Sequence, residues 1–327
     1  MRFKFLRPLA IACSLAASTL LANGTAQAAD DGPVTLLVGF APGGTSDGVS
    51  RLIAQHLPAR LGRPVIVENK PGAIGTLAIK SMIANQGSRP IFAVLPFSSL
   101  IFPALTMTSA NYDVFKDLKT VASLTSYPIA AVVGQGTAVK TPKDLVDWYK
   151  AHPEKAQFGT AGAGGHNHFL GLELGNRIGV KTTVVSYNGN GPMLTDLIAG
   201  HVPTGLMVAG DAWPYVKDQR LSIVGVLTAE RSPLMPDVPT FREAGFDVTA
   251  GEAWYGMWTG SQTDDASIAK MRTALKAVLD MPEVIKAMVD KYAMQADFRA
   301  GAATAERLKA DYDYWAPVIQ ASGFKAN

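Results

Sequence analysis

The sequence predicts an α/β protein built as two lobes, on three observations. Strand-like and helix-like runs alternate over most of the length, which favours α/β layers with largely parallel sheets. The chain has 327 residues, more than one compact core usually fills. Three times an apolar run breaks into glycines and then into a helix-like pattern. No internal repeat or low-complexity linker interrupts the alternation, so the lobes are expected to be joined by strands that cross between them.

Taken in order, strands are predicted over 34–40, 64–68, 91–95, 120–124, 129–134, 157–159, 182–187, 204–208, 222–228 and 254–259. Helices are predicted over 48–61, 76–84, 142–151, 167–178, 193–199, 267–279, 282–292 and 303–321. In the first helix Val49, Leu52, Ile53, His56 and Leu57 share one face, and Gly62 stands where a left-handed cap belongs. Thr141-Pro142 gives the N-cap signal followed by Pro in the first turn, and Gly191-Pro192 repeats it. Asp280-Met281-Pro282 ends one helix and starts the next.

The glycine junctions carry the functional signal. The first is Ala41-Pro42-Gly43-Gly44-Thr45-Ser46-Asp47, the second Thr160-Ala161-Gly162-Ala163-Gly164-Gly165, the third Asn188-Gly189-Asn190-Gly191-Pro192. A helix start presents unpaired N–H groups and the positive end of its dipole, and glycine lets a ligand approach that backbone. Three such junctions predict a small anion held mainly by main chain.

The first residues are read as an export leader. Arg2, Lys4 and Arg7 form a basic start, residues 8–21 are largely apolar, and Ala26-Gln27-Ala28 fits an A-x-A cleavage site. Residues 1–28 are therefore expected to be removed after Ala28. Ser14, Ser18 and Thr19 interrupt the apolar run, which falls short of the roughly 20 residues a spanning helix needs. The one cysteine, Cys13, lies in that run, and lipid attachment there is the alternative to a soluble form. A mature chain without cysteine excludes disulfides, thiolate metal sites and cysteine nucleophiles. Loss of the three leader cations brings the 30 basic residues level with the 27 acidic ones. No basic stripe remains to suggest nucleic acid, and no later apolar run spans a membrane.

From Phe40 through Asp47, with Arg51, the chain resembles the Bug/TctC family of periplasmic solute-binding proteins that serve tripartite tricarboxylate transporters. The resemblance continues through Leu61-Gly62-Arg63-Pro64-Val65-Ile66-Val67-Glu68-Asn69-Lys70-Pro71-Gly72-Ala73. It resumes at Tyr112-Asp113-Val114-Phe115, at the second and third junctions, at Ala229-Glu230-Arg231-Ser232-Pro233 and at Trp254-Tyr255-Gly256. It implies a periplasmic binding protein fold of type II-like architecture, two α/β lobes joined by crossing strands with a ligand cleft between. Lobe one would be 30–130 plus 254–327 and lobe two 131–253. It further implies a monomer in the periplasm, without cofactor or metal, that hands a small carboxylate to integral membrane permease subunits. Departures at Gly87-Ser88-Arg89-Pro90, at Pro96-Phe97-Ser98-Ser99 and at His166-Asn167-His168 mark positions where ligand choice can differ, and the ligand and the permease are not legible.

The pocket implied takes Phe40, Ala41, Gly43, Gly44, Thr45, Ser46, Asp47 and Ser98 from lobe one, and Thr160, Gly162, Gly164, His166, Tyr187, Asn188, Gly189 and Asp211 from lobe two, with Trp254 at the returning crossing. With no Lys or Arg between Thr35 and Ser50, an anion would rest on N–H groups and the Thr45 and Ser46 hydroxyls. Asp47 suits a brace of the helix start better than an anion contact; an ammonium on an amino-acid-like ligand is its other partner. His166 and His168, two apart, lack the i, i+4 spacing that chelates a metal. Trp254, Gly256 and Trp258 alternate on one side of a strand, as core or cleft wall.

Two other readings stay open. Gly44-Thr45-Ser46-Asp47-Gly48 matches the G-x-S-x-G elbow of serine hydrolases. Against it, the serine does not tip the strand, since Ala41-Pro42-Gly43-Gly44 intervenes after Phe40, the position is early in the fold, and His166, His168 and His201 lack a triad context. A ligand sensor that docks on a signalling protein would use the same fold.

Overall fold

The computed structural model describes residues 32–86, 90–248 and 251–326. The expected leader with Cys13 lies outside the described residues, as do Gly87, Ser88 and Arg89. The chain opens with β1 (Val34–Val38), α1 (Thr45–His56) and the short α2 (Pro58–Leu61), which stops on Gly62 in the left-handed conformation (φ 71°). β2 (Val65–Asn69), α3 (Thr76–Ala84), β3 (Ile91–Pro96) and α4 (Phe97–Thr106) follow. β4 (Leu118–Gly134) leads to α5 (Pro142–Ala151), β5 (Gln157–Thr160), α6 (His166–Ile178), β6 (Thr183–Ser186), α7 (Asn190–Ala199), β7 (Thr204–Val208), α8 (Ala209–Lys217) and β8 (Leu221–Val226). The chain returns through β9 (Glu252–Gly260) and ends with α9 (Asp265–Leu279), α10 (Pro282–Tyr292), β10 (Gln295–Ala300) and α11 (Ala302–Ser322).

β4 organises the molecule. Its first part pairs with β9 and β10 in a sheet of order β2-β1-β3-β9-β4, and its second part pairs with β7 and β8 in a sheet that continues to β5 and β6. Two strands predicted at 120–124 and 129–134 are thus one strand of 17 residues. Pro128 stands where the ladder passes from one sheet to the other, a place where a missing N–H costs little.

The largely parallel pairing expected of both sheets is corrected. β1 is parallel to β2 and β3, and β5 to β6 and β7, but every pairing of β4 and β9 is antiparallel. A chain that crosses on β4 and returns on β9 must run these two strands in opposite directions, and the register from Leu118↔Gly260 to Pro128↔Glu252 records it.

β1 and β3 are buried throughout, as strands covered on both faces must be. One apolar cluster carries Phe97, Phe102 and Trp254 of the first sheet's side together with Phe158, Phe169 and Leu170 of the second. Thr141 caps α5 with a full capping box, its hydroxyl accepting from Asp144 N–H while Asp144 accepts from Thr141 N–H. Among the described residues no helix is long and apolar enough to cross a membrane.

Candidate functional site

β1 delivers the first junction to the end of the sheet, and the turn closes with Gly43 at φ 89°, a value that favours glycine. The N-cap of α1 is Gly44, which offers no side-chain acceptor, so the helix start keeps donors for another partner. Asp47, one turn in, is the brace. It accepts from Gly43 N–H at 3.0 Å, from Arg51 Nε at 2.9 Å and from Asn69 Nδ2 at 2.9 Å. Burial alone would raise its pKa; the hydrogen bonds from Arg51, Gly43 and Asn69 hold it below the ordinary carboxylate value. Asn69 Nδ2 also reaches the Phe40 carbonyl at 3.0 Å, and Ala41 lies exposed at the turn.

The start of α1 meets a carboxylate of the other lobe. The Thr45 hydroxyl donates to Asp211 Oδ1, and Asn190 Nδ2 donates to Asp211 Oδ2 at 2.6 Å. Asp211 stands in the first turn of α8 and Asn190 opens α7, so the first and third junctions converge on one group. Burial pushes the Asp211 pKa up against the pull of the Thr45 hydroxyl and N–H and of Asn190.

Beneath this contact lie two tyrosines of the crossing strands. Tyr127 of β4 and Tyr255 of β9 pack with ring centroids 5.0 Å apart. Burial raises both phenols, and for both the Asp211 charge adds to it. The Tyr255 hydroxyl faces Ser46 Oγ, which is buried without a hydrogen-bond partner at normal geometry. Asn190 Oδ1 is likewise buried and unpartnered.

The second junction is differently placed. Gly162 (φ 127°) and Gly164 (φ 79°) shape it, the Thr160 hydroxyl donates to the Gly162 carbonyl at 3.4 Å, and Gly164 N–H donates to His168 Nδ1 at 2.8 Å. Burial lowers the His168 pKa, as an acceptor imidazole requires. His166 is 5% exposed and packs between Phe97 (5.2 Å), Phe102 (5.7 Å) and Trp315 (5.1 Å). This junction therefore meets lobe one through aromatic rings, while the hydrogen bonds of Thr160, Gly164 and Asn167 stay inside lobe two.

The remaining candidates spread out. Ser98 is buried in the first turn of α4. The Tyr187 hydroxyl donates to Asp196 Oδ2 at 2.8 Å, and burial together with that carboxylate pushes its pKa up to about 12. Asn188 is exposed beside Gly189, the N-cap of α7. Trp254 is core: it is fully buried, stacks on Phe97 at 5.8 Å, donates Nε1–H to Asp311 at 2.7 Å and carries Arg307 over its face at 4.9 Å. The strand's period of two puts Tyr255 on the opposite side from Trp254, and it is Tyr255 that reaches Ser46 and Asp211. Tyr127 and Tyr255 were not picked out by sequence. Alternation along 254–259 divides that strand into two faces but does not say which one looks at the cleft.

Among the described residues the serine of the G-x-S-x-G match meets no base. No imidazole is bonded to Ser46 Oγ, His168 is engaged with Gly164 N–H, and His201 sits 3.2 Å from Asp196. Among the described residues no group of three or more His, Cys, Asp or Glu is arranged to hold a metal ion.

Two α/β lobes on crossing strands, with helix starts of both lobes meeting a shared polar centre, define the architecture of a type II-like periplasmic binding protein. Residues 49–324 match the family described as tripartite tricarboxylate transporter family receptor, and the chain belongs to that family. It is 32% identical over 303 residues to a UPF0065 protein from the TAR-I ttuE-ttuC' intergenic region of Agrobacterium vitis, covering 91% of this chain and 87% of that protein. Among solved structures it is similar to one described as a periplasmic transporter, with a TM-score of 0.81, 27% identity, and coverage of 90% of this chain and 98% of the other. MatC of Rhodopseudomonas palustris with bound malate superposes with a TM-score of 0.78 at 27% identity, over 88% of this chain and 98% of MatC.

Proposed function

We propose that the chain is an exported receptor that captures a small carboxylate between its lobes and delivers it to the permease subunits of a tripartite transporter. The observation that carries this reading is the Asp211 carboxylate on the first residue of α1. The helix start accepts a carboxylate group there through Thr45, with no lysine or arginine in the contact. A relative with bound malate supports the same ligand chemistry. On this reading the leader is cleaved after Ala28, the mature protein works in the periplasm as a monomer, and it binds without catalysing a reaction. Lobe one is 30–130 plus 254–327 and lobe two 131–253, a division that the change of β4 partners near Pro128 supports. The ligand would rest on the backbone of the turns at Gly43–Gly44 and Gly162–Gly164, reached when the lobes close.

A thermal-shift screen of the mature protein against small carboxylic, neutral and cationic solutes tests it. At about 100 times its Kd a true ligand stabilises by roughly 2.7 kcal/mol, a shift of several degrees. Shifts confined to neutral or cationic solutes overturn the reading.

A further inference from the structure

We propose that Asp211 sets the ligand class of this cleft, selecting small acids that carry an ammonium group next to the carboxylate over plain di- and tricarboxylates. The inference rests on the carboxylate-receptor reading and narrows it.

Two observations independent of the helix start lead to it. The first is a surplus of acceptors. An ionised Asp211 only accepts, and the donors that reach it, the Thr45 hydroxyl and N–H and the Asn190 amide, are all neutral. Beside it Asn190 Oδ1 is buried and has no donor. An ammonium brings three donors and no acceptor, which fits this set; a carboxylate brings only acceptors.

The second is charge. The groups that act on Asp211 are Thr45, Asn190, Tyr127 and Tyr255, and none of them is a cation. Arg51 of α1 is taken up by Asp47 and Asn69. A plain dianion would enter beside a half-buried carboxylate that has no cation near it. A zwitterionic head instead sets its ammonium against Asp211 and its carboxylate against the start of α1, where Gly44 gives no side-chain cap.

Calorimetric titration of the mature protein and of Asp211→Asn with matched acids tests the assignment: aspartate against succinate, glutamate against glutarate, alanine against propionate. One charge-assisted hydrogen bond corresponds to a preference of roughly tenfold or more for the amino member in the wild type. Asp211→Asn should reduce that preference to about threefold or less, mainly by weakening the amino member. A wild type that binds the plain member as tightly overturns the inference and leaves the receptor reading intact. So does an Asp211→Asn protein in which both members of a pair tighten equally, since Asp211 would then be only an internal competitor. If no acid of either series binds the wild type, the receptor reading falls with it. Circular dichroism confirms that the variant is folded, and the wild-type preference is decisive without it.

Discussion

Two aspartates near one helix start perform opposite tasks, and the difference lies in their partners. Asp47 holds the loop of its own lobe, with Gly43, Arg51 and Asn69 on its oxygens. Asp47→Ala leaves the Gly43 N–H and one Asn69 donor unpaired and should destabilise the protein by about 1–3 kcal/mol in urea denaturation. Arg51→Ala should cost clearly less, because the guanidinium is half exposed; equal losses would show that the ion pair, and not the brace, matters. The bracing role was legible, since an Asp in a first helical turn has a local partner. The meeting of Thr45 with Asp211, 166 positions apart, was not, because only the tertiary fold brings them together. A third carboxylate reports on pH. Burial raises the Asp311 pKa to about 6 despite the Trp254 indole N–H and Arg307. A raised carboxylate pKa penalises the folded state when the group is ionised: the penalty is absent below about pH 4 and complete above about pH 6. Asp311→Asn keeps an acceptor for Trp254 and removes the penalty, so its melting temperature relative to wild type should rise between pH 4 and pH 7.5, by the equivalent of up to about 3 kcal/mol. A difference that is flat across that range would refute the assignment.

At the scale of elements, the seam between the lobes is set by how closely α8 approaches α10. A Cβ built on Gly210 of α8 would lie 2.0 Å from the Tyr292 carbonyl oxygen at the end of α10, and that atom is backbone, which cannot swing aside. Gly210→Ala should therefore hold α8 off α10 and separate Asp211 from Thr45. The expected outcome is a fall in ligand affinity of about tenfold or more, with a larger radius of gyration of the liganded protein in X-ray scattering and an unchanged far-ultraviolet spectrum. Normal affinity with a normal radius would show that the seam is not closed in solution. α8 and α4 were also the helices that pattern reading passed over. Each carries an internal proline, Pro214 and Pro103, which argues against a helix, and in α4 the run from Phe97 to Pro103 is wholly buried, so α4 offered no polar face. α3 and α5, with flanking Gly75 and Thr141 and clear stops, were read to the residue. β10 escaped for a related reason: the part-buried Gln295–Ala300 alternates too weakly to stand out between two helices.

For the whole molecule, the arrangement of β4 makes the lobes mechanically separable but thermodynamically joined. A tethered pair of domains keeps its two cores apart, whereas here one strand lies inside both sheets and one apolar cluster runs from Val34 and Phe92 to Phe158 and Leu170. Losing order in lobe two would strip β7 and β8 from the second half of β4 and expose Phe169, which packs at 5.6 Å against Phe102 of α4. Losing order in lobe one would remove β9 and β10 from the first half. Neither lobe has a complete sheet without the other's use of β4. Equilibrium unfolding in urea should accordingly be a single transition, with the same midpoint by far-ultraviolet circular dichroism and by tryptophan fluorescence. Fluorescence weighs lobe one, where Trp254, Trp258 and Trp315 are fully buried, and circular dichroism weighs both lobes. Two separated midpoints would mean that each half of β4 holds its own sheet, and the closing motion would then need a hinge softer than a continuous 17-residue strand.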